Sequence, residues 1–233
     1  MSATMMTLTV DSSSMQTYLS TPTGADSGRR DLPGAIVIHA RSGVDEFTRH
    51  VCDRLAEAGY VAAAPNLFHR LEAEKWSPSA LKDQEVERDV RATFDYLRDR
   101  SGLACSRAGI VGFCMGGRVS YLMTARIPEI AASAVFYGGN IRQSKAGNPS
   151  PLEQSSGISC PMIGFFGQDD KNPSPEDAAA ISAELTRLGK KHTFHSYPGS
   201  GHAFMNFLAD SYRQHAAIDA WPKLLKFFDE TLK

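Results

Sequence analysis

The 233-residue sequence has few cysteines, no long apolar run and almost no net charge. Its four cysteines include no C-x-x-C pair, so they form neither a disulfide scaffold nor a common zinc or redox motif. No run approaches the roughly 18 apolar residues of a membrane span. The N-terminus lacks the basic start of a signal peptide. These absences predict a cytoplasmic protein with reduced thiols and no membrane partner.

Charge and composition narrow the class of protein further. Lys and Arg number 25 against 26 Asp and Glu, which gives a net charge of -1, and no basic stripe is suited to a nucleic-acid backbone. With 42% hydrophobic and 22% charged residues, the composition is that of an ordinary globular protein. We therefore predict one domain over residues 1–233, a monomer or small homo-oligomer, with no nucleic-acid partner.

Hydrophobic patterning alternates between strand and helix periods along the chain. A β-hairpin at the sheet edge is predicted from residues 7–10 and 15–20. The other predicted strands are 35–39, 60–64, 110–113, 134–137, 162–166 and 192–197, and the predicted helices are 45–58, 81–100, 117–125, 175–188 and 212–232. This alternation predicts an α/β fold with a mostly parallel sheet and helices on both faces. Residues 66–80 are predicted as a lid segment, whereas 139–160 form an irregular stretch without a predicted role.

The segment Gly112 to Gly117, with the sequence Gly-Phe-Cys-Met-Gly-Gly, lies between a predicted strand and a predicted helix. In a nucleophile elbow the chain reverses so sharply that the nucleophile has a strained backbone and its neighbours must lack a Cβ. Gly112 and Gly116, two residues before and after Cys114, meet that need. A sulfur at a helix N-terminus is also stabilised as a thiolate. The segment predicts Cys114 as a nucleophile, with an inert buried cysteine as the alternative.

Two later segments could complete a catalytic triad. Asp169 and Asp170 follow a predicted strand, at the carboxyl edge where open α/β sheets keep their sites. His202 follows the last predicted strand, in a loop of small residues. The chain order nucleophile, acid, histidine is that of α/β-hydrolases and differs from other triad folds. We predict a triad of Cys114, Asp169 and His202, with the adjacent Asp170 as the alternative acid.

Motifs across nearly the whole chain resemble the dienelactone hydrolase family, the cysteine branch of the α/β-hydrolases. They are Val37-Ile38-His39 before Gly43-Val44, Gly59-Tyr60 before Ala64-Pro65-Asn66-Leu67-Phe68, Gly112-Phe113-Cys114-Met115-Gly116-Gly117, Gly167-Gln168-Asp169 and Gly201-His202-Ala203-Phe204. The resemblance implies an α/β-hydrolase fold and a triad of Cys114, His202 and Asp169 that hydrolyses esters or enol-lactones through an acyl-cysteine. It also implies an oxyanion hole formed by the backbone N–H groups of Met115 and Arg41.

Three positions depart from the family pattern. Ala40 stands where family members that open dienelactone carry a glutamate, in the loop after the first parallel strand. Asn206 stands where they carry an arginine, and Ala203 replaces a serine next to the histidine. These departures leave the identity and the charge of the substrate open.

Other side chains are candidates for the substrate pocket. Three arginines could bind an acidic group, and four apolar side chains could line the pocket. They are Arg41, Arg70, Arg118, Phe68, Trp76, Phe204 and Met205. Salt bridges and core packing are the alternative roles. His39 is predicted to be structural, and His192 and His195 are predicted on opposite faces of a strand, which excludes a paired metal site.

The chemistry predicted for these residues is acyl transfer without a cofactor or metal. The expected substrate is a small ester, enol-lactone or related acyl compound, because an amide leaving group is harder to expel. A non-catalytic or redox-sensing α/β module with an inert or oxidisable Cys114 is the alternative function. A serine-preferring esterase that tolerates cysteine is a third possibility.

Overall fold

Strands and helices alternate along the chain, as the patterning predicts. The computed structural model describes residues 1–25, 32–99, 105–145 and 147–233, and these ranges contain eight strands and five α-helices. The strands are β1 (Ser2–Val10), β2 (Ser13–Thr21), β3 (Gly34–Ile38), β4 (Val61–Pro65), β5 (Ala108–Phe113), β6 (Ala132–Phe136), β7 (Met162–Gly167) and β8 (His192–Tyr197). The helices are α1 (Glu46–Glu57), α2 (Asp83–Asp99), α3 (Met115–Arg126), α4 (Pro175–Arg187) and α5 (Gln214–Leu232). Arg100, where the predicted helix 81–100 ends, lies outside the described residues.

The strands form one sheet in the order β1-β2-β4-β3-β5-β6-β7-β8. The strand β2 pairs antiparallel with both β1 and β4, which places the hairpin at the sheet edge. The pairs β3 with β4, β6 with β7 and β7 with β8 are parallel. Every residue from β3 to β7 that lies in a strand is buried, as expected for a parallel sheet covered on both faces. The predicted fold class and the edge position of the hairpin are confirmed.

The chain groups into two compact units, and the first consists of residues 1–110 with 232–233. Its hairpin turns at Asp11 and Ser12, whose φ values are 50° and 63°. A two-residue turn in this left-handed region matches the twist of the paired strands. The strands therefore extend to Val10 and Ser13, and the hairpin is longer than predicted.

The second unit consists of residues 111–231. Its core joins α3, β6, β7 and α4 through eight buried side chains: Tyr121, Val135, Ile141, Ile158, Met162, Phe166, Ile181 and Leu185. The helix α4 begins with a capping box between Ser174 and Asp177, which satisfies orphan backbone N–H groups. The helix α3 begins at Met115 and not at Gly117, so the preceding residue becomes its N-cap.

The prediction of one domain over the whole chain stays a prediction. Across the described ranges, none of the helices combines the length and the hydropathy that a membrane crossing requires.

Candidate active site

Cys114 occupies the sharp turn between β5 and α3. Its φ of 57° and ψ of -117° lie in the left-handed half of the map, where a residue with a Cβ is strained by about 1–3 kcal/mol. Its backbone N–H donates to the Phe136 carbonyl oxygen at 3.1 Å. The side chain is half-buried at the N-terminus of α3. Cys114 thus lies at the positive end of the helix dipole, where negative charge is favoured.

Glycines permit this turn because a Cβ would collide with the backbone. A Cβ at Gly112 would lie 1.9 Å from the Gly116 carbonyl oxygen and 2.4 Å from Ser120 Oγ. A Cβ at Gly117 would lie 2.7 Å from Gly138 Cα. Both glycines are therefore sterically required, and the second contact joins the elbow to the segment that follows β6.

His202 is held by Asp170 and not by Asp169. The Nδ1–H group of His202 donates to Asp170 Oδ2 at 2.8 Å. Asp170 is 6% exposed, and its Oδ1 accepts the backbone N–H of Asn172 at 2.9 Å. The backbone N–H of Asp169 is bonded to the Ser200 carbonyl oxygen at 2.9 Å, and its side chain is exposed. The prediction of Asp169 as the partner of His202 is therefore wrong, because the next residue carries the buried carboxylate.

Two neighbours of His202 stabilise its protonated form. Burial alone lowers the pKa of this imidazole, but hydrogen bonds with Asp170 and Cys114 and the charges of both groups raise the pKa of His202 to about 10. Because Nδ1 is bonded to Asp170, Nε2 is the nitrogen left for Cys114. The imidazole also packs edge-to-face against Tyr137, with a ring separation of 5.3 Å. At neutral pH an imidazolium is therefore favoured beside the Cys114 sulfur.

The other three cysteines have different surroundings. All four thiols are free, but Cys52, Cys105 and Cys160 are buried, whereas Cys114 is partly exposed. Burial raises the pKa of Cys105 and of Cys160 to about 12. Burial also raises the pKa of Cys52 well above its ordinary value. These three thiols are therefore poor nucleophiles at neutral pH.

Comparisons with known proteins identify the family of this chain. The family model described as "Dienelactone hydrolase family" matches residues 15–232. The chain belongs to the dienelactone hydrolase family. It is 34% identical over 215 residues to a Synechocystis sp. protein named "Putative carboxymethylenebutenolidase", covering 86% of this chain and 87% of the relative. It is 33% identical over 205 residues to a Bradyrhizobium sp. protein named "Probable 2-oxo-3-(5-oxofuran-2-ylidene)propanoate lactonase", covering 83% and 82%.

A solved structure agrees with this assignment. The Klebsiella pneumoniae protein named "Putative Dienelactone Hydrolase" superimposes with a TM-score of 0.91 at 27% sequence identity, covering 98% of each chain. The protein is thus an enzyme with the α/β-hydrolase fold, in a family that hydrolyses enol-lactones and esters. The non-catalytic alternative is accordingly not retained.

A second hydrogen-bonded series lies in the first unit of this dienelactone hydrolase family member. Ser13 Oγ lies 3.0 Å from His69 Nδ1, and His69 Nε2 lies 3.1 Å from Asp89 Oδ1. The two guanidinium NH groups of Arg70 also donate to Asp89, each at 2.8 Å. No sequence pattern predicts this series, because its members lie 56 and 20 positions apart. The predicted substrate role of Arg70 is wrong, because its guanidinium is used in a salt bridge.

Phe204 is a core residue of the second unit. It has 0% exposure and packs against the rings of Tyr137 and Tyr197 at 5.2 Å and 5.1 Å. The adjacent Met205 is also buried. The prediction that Phe204 and Met205 line a pocket is therefore wrong. Phe204 instead anchors the loop that carries His202.

His39 is structural, as predicted. It is fully buried, its Nδ1–H group donates to the Ala40 carbonyl oxygen at 2.6 Å, and its Nε2 accepts the Leu67 N–H at 3.0 Å. Burial lowers the pKa of His39 to about 4. The residue is therefore neutral and has both ring nitrogens satisfied.

The predicted lid segment 66–80 is tied to the loop after β3. The Trp76 ring stacks on the buried Phe68, with a ring separation of 5.3 Å. A Cβ at Gly43 would lie 2.6 Å from the same ring, so the ring packs directly against this glycine. Phe68 is thus a core residue and not a pocket residue. Whether the segment moves as a lid and whether Trp76 touches substrate stay predictions.

The remaining site residues stay predictions. Arg41 is exposed in the loop after β3, and Met115 is the first residue of α3. The backbone N–H of Arg118 donates to the Cys114 carbonyl oxygen at 3.3 Å, which does not define a role for its side chain.

Two further histidines belong to the packing of the second unit. His192 Nε2 lies 2.8 Å from Ser182 Oγ, and the His195 ring stacks on Phe165 at 5.4 Å. Within the described part of the chain, no group of three or more His, Cys, Asp and Glu residues is arranged to hold a metal ion.

Proposed function

We propose that this enzyme hydrolyses an ester, enol-lactone or related acyl substrate through an acyl-cysteine on Cys114. His202 acts as general acid and base, and Asp170 orients the imidazole. The observation that carries the proposal is the contact series from Cys114 through His202 to Asp170. A nucleophile, a base within reach and a group that orients the base are the three parts that covalent acyl transfer requires.

Acylation begins from a thiolate beside an imidazolium. The Cys114 sulfur attacks the carbonyl carbon, a C–S bond forms, and the carbonyl π electrons move to the oxygen. When this intermediate collapses, the bond to the leaving oxygen breaks and His202 Nε2 donates its proton to that oxygen. The contacts that raise the pKa of His202 keep Nε2 protonated until the proton is transferred to the leaving oxygen.

Deacylation uses the same imidazole as a base. Once its proton has left with the alcohol, or with the enol of an opened lactone, neutral His202 accepts a proton from water. The resulting hydroxide attacks the acyl carbon, and the C–S bond breaks to return a thiolate. Asp170 keeps Nδ1 protonated throughout, so Nε2 remains the atom that exchanges protons with the substrate.

The intermediate of both steps carries a negative oxygen. The Met115 N–H, at the start of α3, is one proposed donor to this oxygen. The resemblance to the family predicts the backbone N–H of Arg41 as the second donor. Loss of one such donor typically costs about 3–4 kcal/mol of transition-state stabilisation. The positive end of α3 supports the same role, because it favours negative charge close to Cys114.

Selective alkylation tests the nucleophile directly. We expect iodoacetamide to modify Cys114 at least about tenfold faster than Cys52, Cys105 and Cys160 at pH 7, measured by peptide mass spectrometry. Brief incubation with p-nitrophenyl acetate should add an acetyl group to the peptide that contains Cys114 and release p-nitrophenol. The three buried thiols serve as internal controls in the same molecule.

The chemical step is tested with a panel of esters, lactones and thioesters that includes dienelactone. Wild type should hydrolyse members of this panel, and Cys114→Ala should not. Equal slow labelling of all four thiols, or hydrolysis that is independent of Cys114, would contradict the proposal.

A further inference from the structure

The segment Tyr137 to Asn140 directly follows β6 and opens the irregular stretch 139–160, which had no predicted role. We call residues 137–140 the crossing segment. Its first and last residues have φ values of 38° and 57°, in the left-handed region. Two glycines lie between them, so the backbone can pass close to its neighbours.

The crossing segment approaches the elbow and the histidine. A Cβ at Gly138 would lie 2.8 Å from the Gly117 carbonyl carbon, so the backbone here passes directly against the first turn of α3. The ring of Tyr137 packs edge-to-face on the His202 imidazole at 5.3 Å. One short segment therefore touches both the helix that begins after Cys114 and the proposed acid-base residue.

The same segment is bonded to the loop that carries Asp170. The Asn140 backbone N–H donates to Asn172 Oδ1 at 3.0 Å, and Asn172 Nδ2 donates to Asn140 Oδ1 at 3.0 Å. A Cβ at Gly139 would lie 2.9 Å from Asn172 Oδ1, so only glycine allows this approach. We call the two hydrogen bonds the Asn140–Asn172 clasp.

Asn172 connects the clasp to the carboxylate. Its backbone N–H donates to Asp170 Oδ1 at 2.9 Å, while Asp170 Oδ2 receives the Nδ1–H group of His202 at 2.8 Å. The two oxygens of Asp170 thus have different partners: Oδ1 is bonded to Asn172 and Oδ2 to His202. A shift of Asn172 therefore changes the position of the oxygen on which the orientation of His202 depends.

We propose that the Asn140–Asn172 clasp is a positioning device that holds Asp170 in line with His202, an inference that rests on the proposed function of this triad. Asn140 and Asn172 touch no reacting atom and act through Asp170. Both side chains are exposed, so their hydrogen bonds contribute little to global stability. Displacement of a catalytic group by about 1 Å can lower a rate by about 100-fold, so positioning is more sensitive than stability to loss of the clasp.

Matched variants separate the clasp from general stability. Asn172→Ala removes both hydrogen bonds but keeps the backbone N–H that bonds Asp170. Asn140→Gly removes one bond and tolerates the left-handed backbone, whereas Asn140→Asp keeps an acceptor for Asn172 Nδ2. Gln154→Ala is the control, because the side-chain hydrogen bonds of Gln154 join it to Arg126, Pro149 and Ser150 and to none of the triad residues.

We expect kcat/KM for p-nitrophenyl acetate to fall about tenfold in Asn172→Ala and about threefold in Asn140→Gly, mainly through kcat. Asn140→Asp and Gln154→Ala should stay within about twofold of wild type. Asp170 and Cys114 are the titratable groups that raise the pKa of His202. A looser Asp170 should therefore shift the alkaline limb of kcat/KM to lower pH in Asn172→Ala, and a change in stability alone would not produce this shift.

A spectroscopic measurement keeps the test independent of turnover. The Nδ1 proton of His202, bonded to Asp170, should give a downfield proton resonance that broadens or moves upfield in Asn172→Ala and Asn140→Gly but not in Gln154→Ala. If wild type hydrolyses esters through Cys114 while folded Asn172→Ala and Asn140→Gly keep its kcat, alkaline limb and resonance, the clasp proposal alone is overturned. If Cys114→Ala is as active as wild type, the proposed function itself fails.

Discussion

Two hydrogen-bonded series in this enzyme join a hydroxyl or thiol, an imidazole and a carboxylate, one in each unit. In the second unit Asp170 bonds Nδ1 of His202 and leaves Nε2 for Cys114. In the first unit the imidazole is reversed, because Ser13 lies at Nδ1 of His69 and Asp89 lies at Nε2. A hydroxyl or thiol, an imidazole and a carboxylate therefore meet in two arrangements with different consequences.

The surroundings explain why only one series is suited to catalysis. The side chain of His202 is 35% exposed and can meet a substrate, whereas that of His69 is 2% exposed. The charge of Asp89 is already balanced by Arg70, whereas Asp170 is bonded to His202 and to a backbone amide. The position of the nucleophile differs too, since Ser13 begins an extended strand and Cys114 lies in a strained turn at a helix N-terminus. Burial, charge balance and backbone geometry thus distinguish the series that we propose as catalytic from the buried series of the first unit.

The largest effect should come from removal of the nucleophile. Cys114→Ala should lower kcat/KM for p-nitrophenyl acetate by about 10³-fold or more, because no other group can form the acyl intermediate. Ser13→Ala should stay within about twofold of wild type, since the hydroxyl of Ser13 contacts a buried imidazole. Circular dichroism would check that both variants fold. Retention of more than about a tenth of the rate in Cys114→Ala, or a comparable loss in Ser13→Ala, would break the distinction between the two series.

The two adjacent aspartates provide the next test. Asp170→Asn should lower kcat/KM by about 10²-fold to 10⁴-fold, because an amide cannot hold the tautomer and the positive charge of His202 in the same way. Asp169→Asn should stay within about twofold, because the Asp169 side chain is exposed. Steady-state kinetics on both variants measures this difference. An equal loss of kcat/KM in the two variants would contradict the proposal that Asp170, and not Asp169, orients His202.

Cys114 and His202 could be proposed as site residues from the sequence because their neighbours carry the signal. Small residues surround both positions, and the buried strand β5 before Cys114 has a clear apolar pattern. Asp169 and Asp170 could not be separated in this way, since both follow β7 and either could face the histidine. The difference between them is the hydrogen bond of Asp170 to His202, 32 residues away, which no local pattern encodes.

Long-range contacts also explain the other wrong predictions. Arg70 has the chemistry of a substrate-binding residue, but its ion-pair partner Asp89 lies 19 positions later in the chain, within α2. Phe204 follows the histidine as a pocket residue would, yet it is buried between Tyr137 and Tyr197. The same holds for the Asn140–Asn172 clasp, because two polar loop residues 32 positions apart give no periodic signal. The fold was predictable from periodicity, whereas these partners depended on tertiary packing.

The free energy of unfolding tests the structural role of the first-unit series. Asp89→Asn should lower the free energy of unfolding by about 3 kcal/mol, because it removes the fully buried charge that Arg70 balances and leaves Arg70 only the exposed Asp11 as an ion-pair partner. The activity per folded molecule should not change, since the proposed mechanism does not use the first-unit series. Glu184→Gln, which breaks a surface pair with Arg187, should change the free energy of unfolding much less than Asp89→Asn does. Urea titrations of the three proteins measure these values, and a loss of activity without a loss of stability in Asp89→Asn would contradict a structural role.

The smallest expected effect is the pH dependence that His202 gives to stability. The pKa of this imidazole is 6.5 in the unfolded chain and about 10 in the folded enzyme. Its stabilising contribution is therefore fully present below pH 6.5 and is lost as the pH rises towards 10. The side chain is 35% exposed, so solvent screening limits the contribution to about 1 kcal/mol, or about 2–4 °C in Tm. The Tm difference between wild type and His202→Gln should be largest at pH 6 and should close towards pH 10.

His195 provides a control of opposite sign. Burial and the charge of Lys223 lower the pKa of His195, so its contribution is present above pH 6.5 and is lost as the pH falls. The Tm difference between wild type and His195→Gln should therefore shrink towards acid pH, whereas the His202→Gln difference should grow. Thermal unfolding from pH 5 to pH 10 compares the two directly. Parallel trends in the two variants would contradict an imidazolium at His202 that Asp170 and Cys114 stabilise.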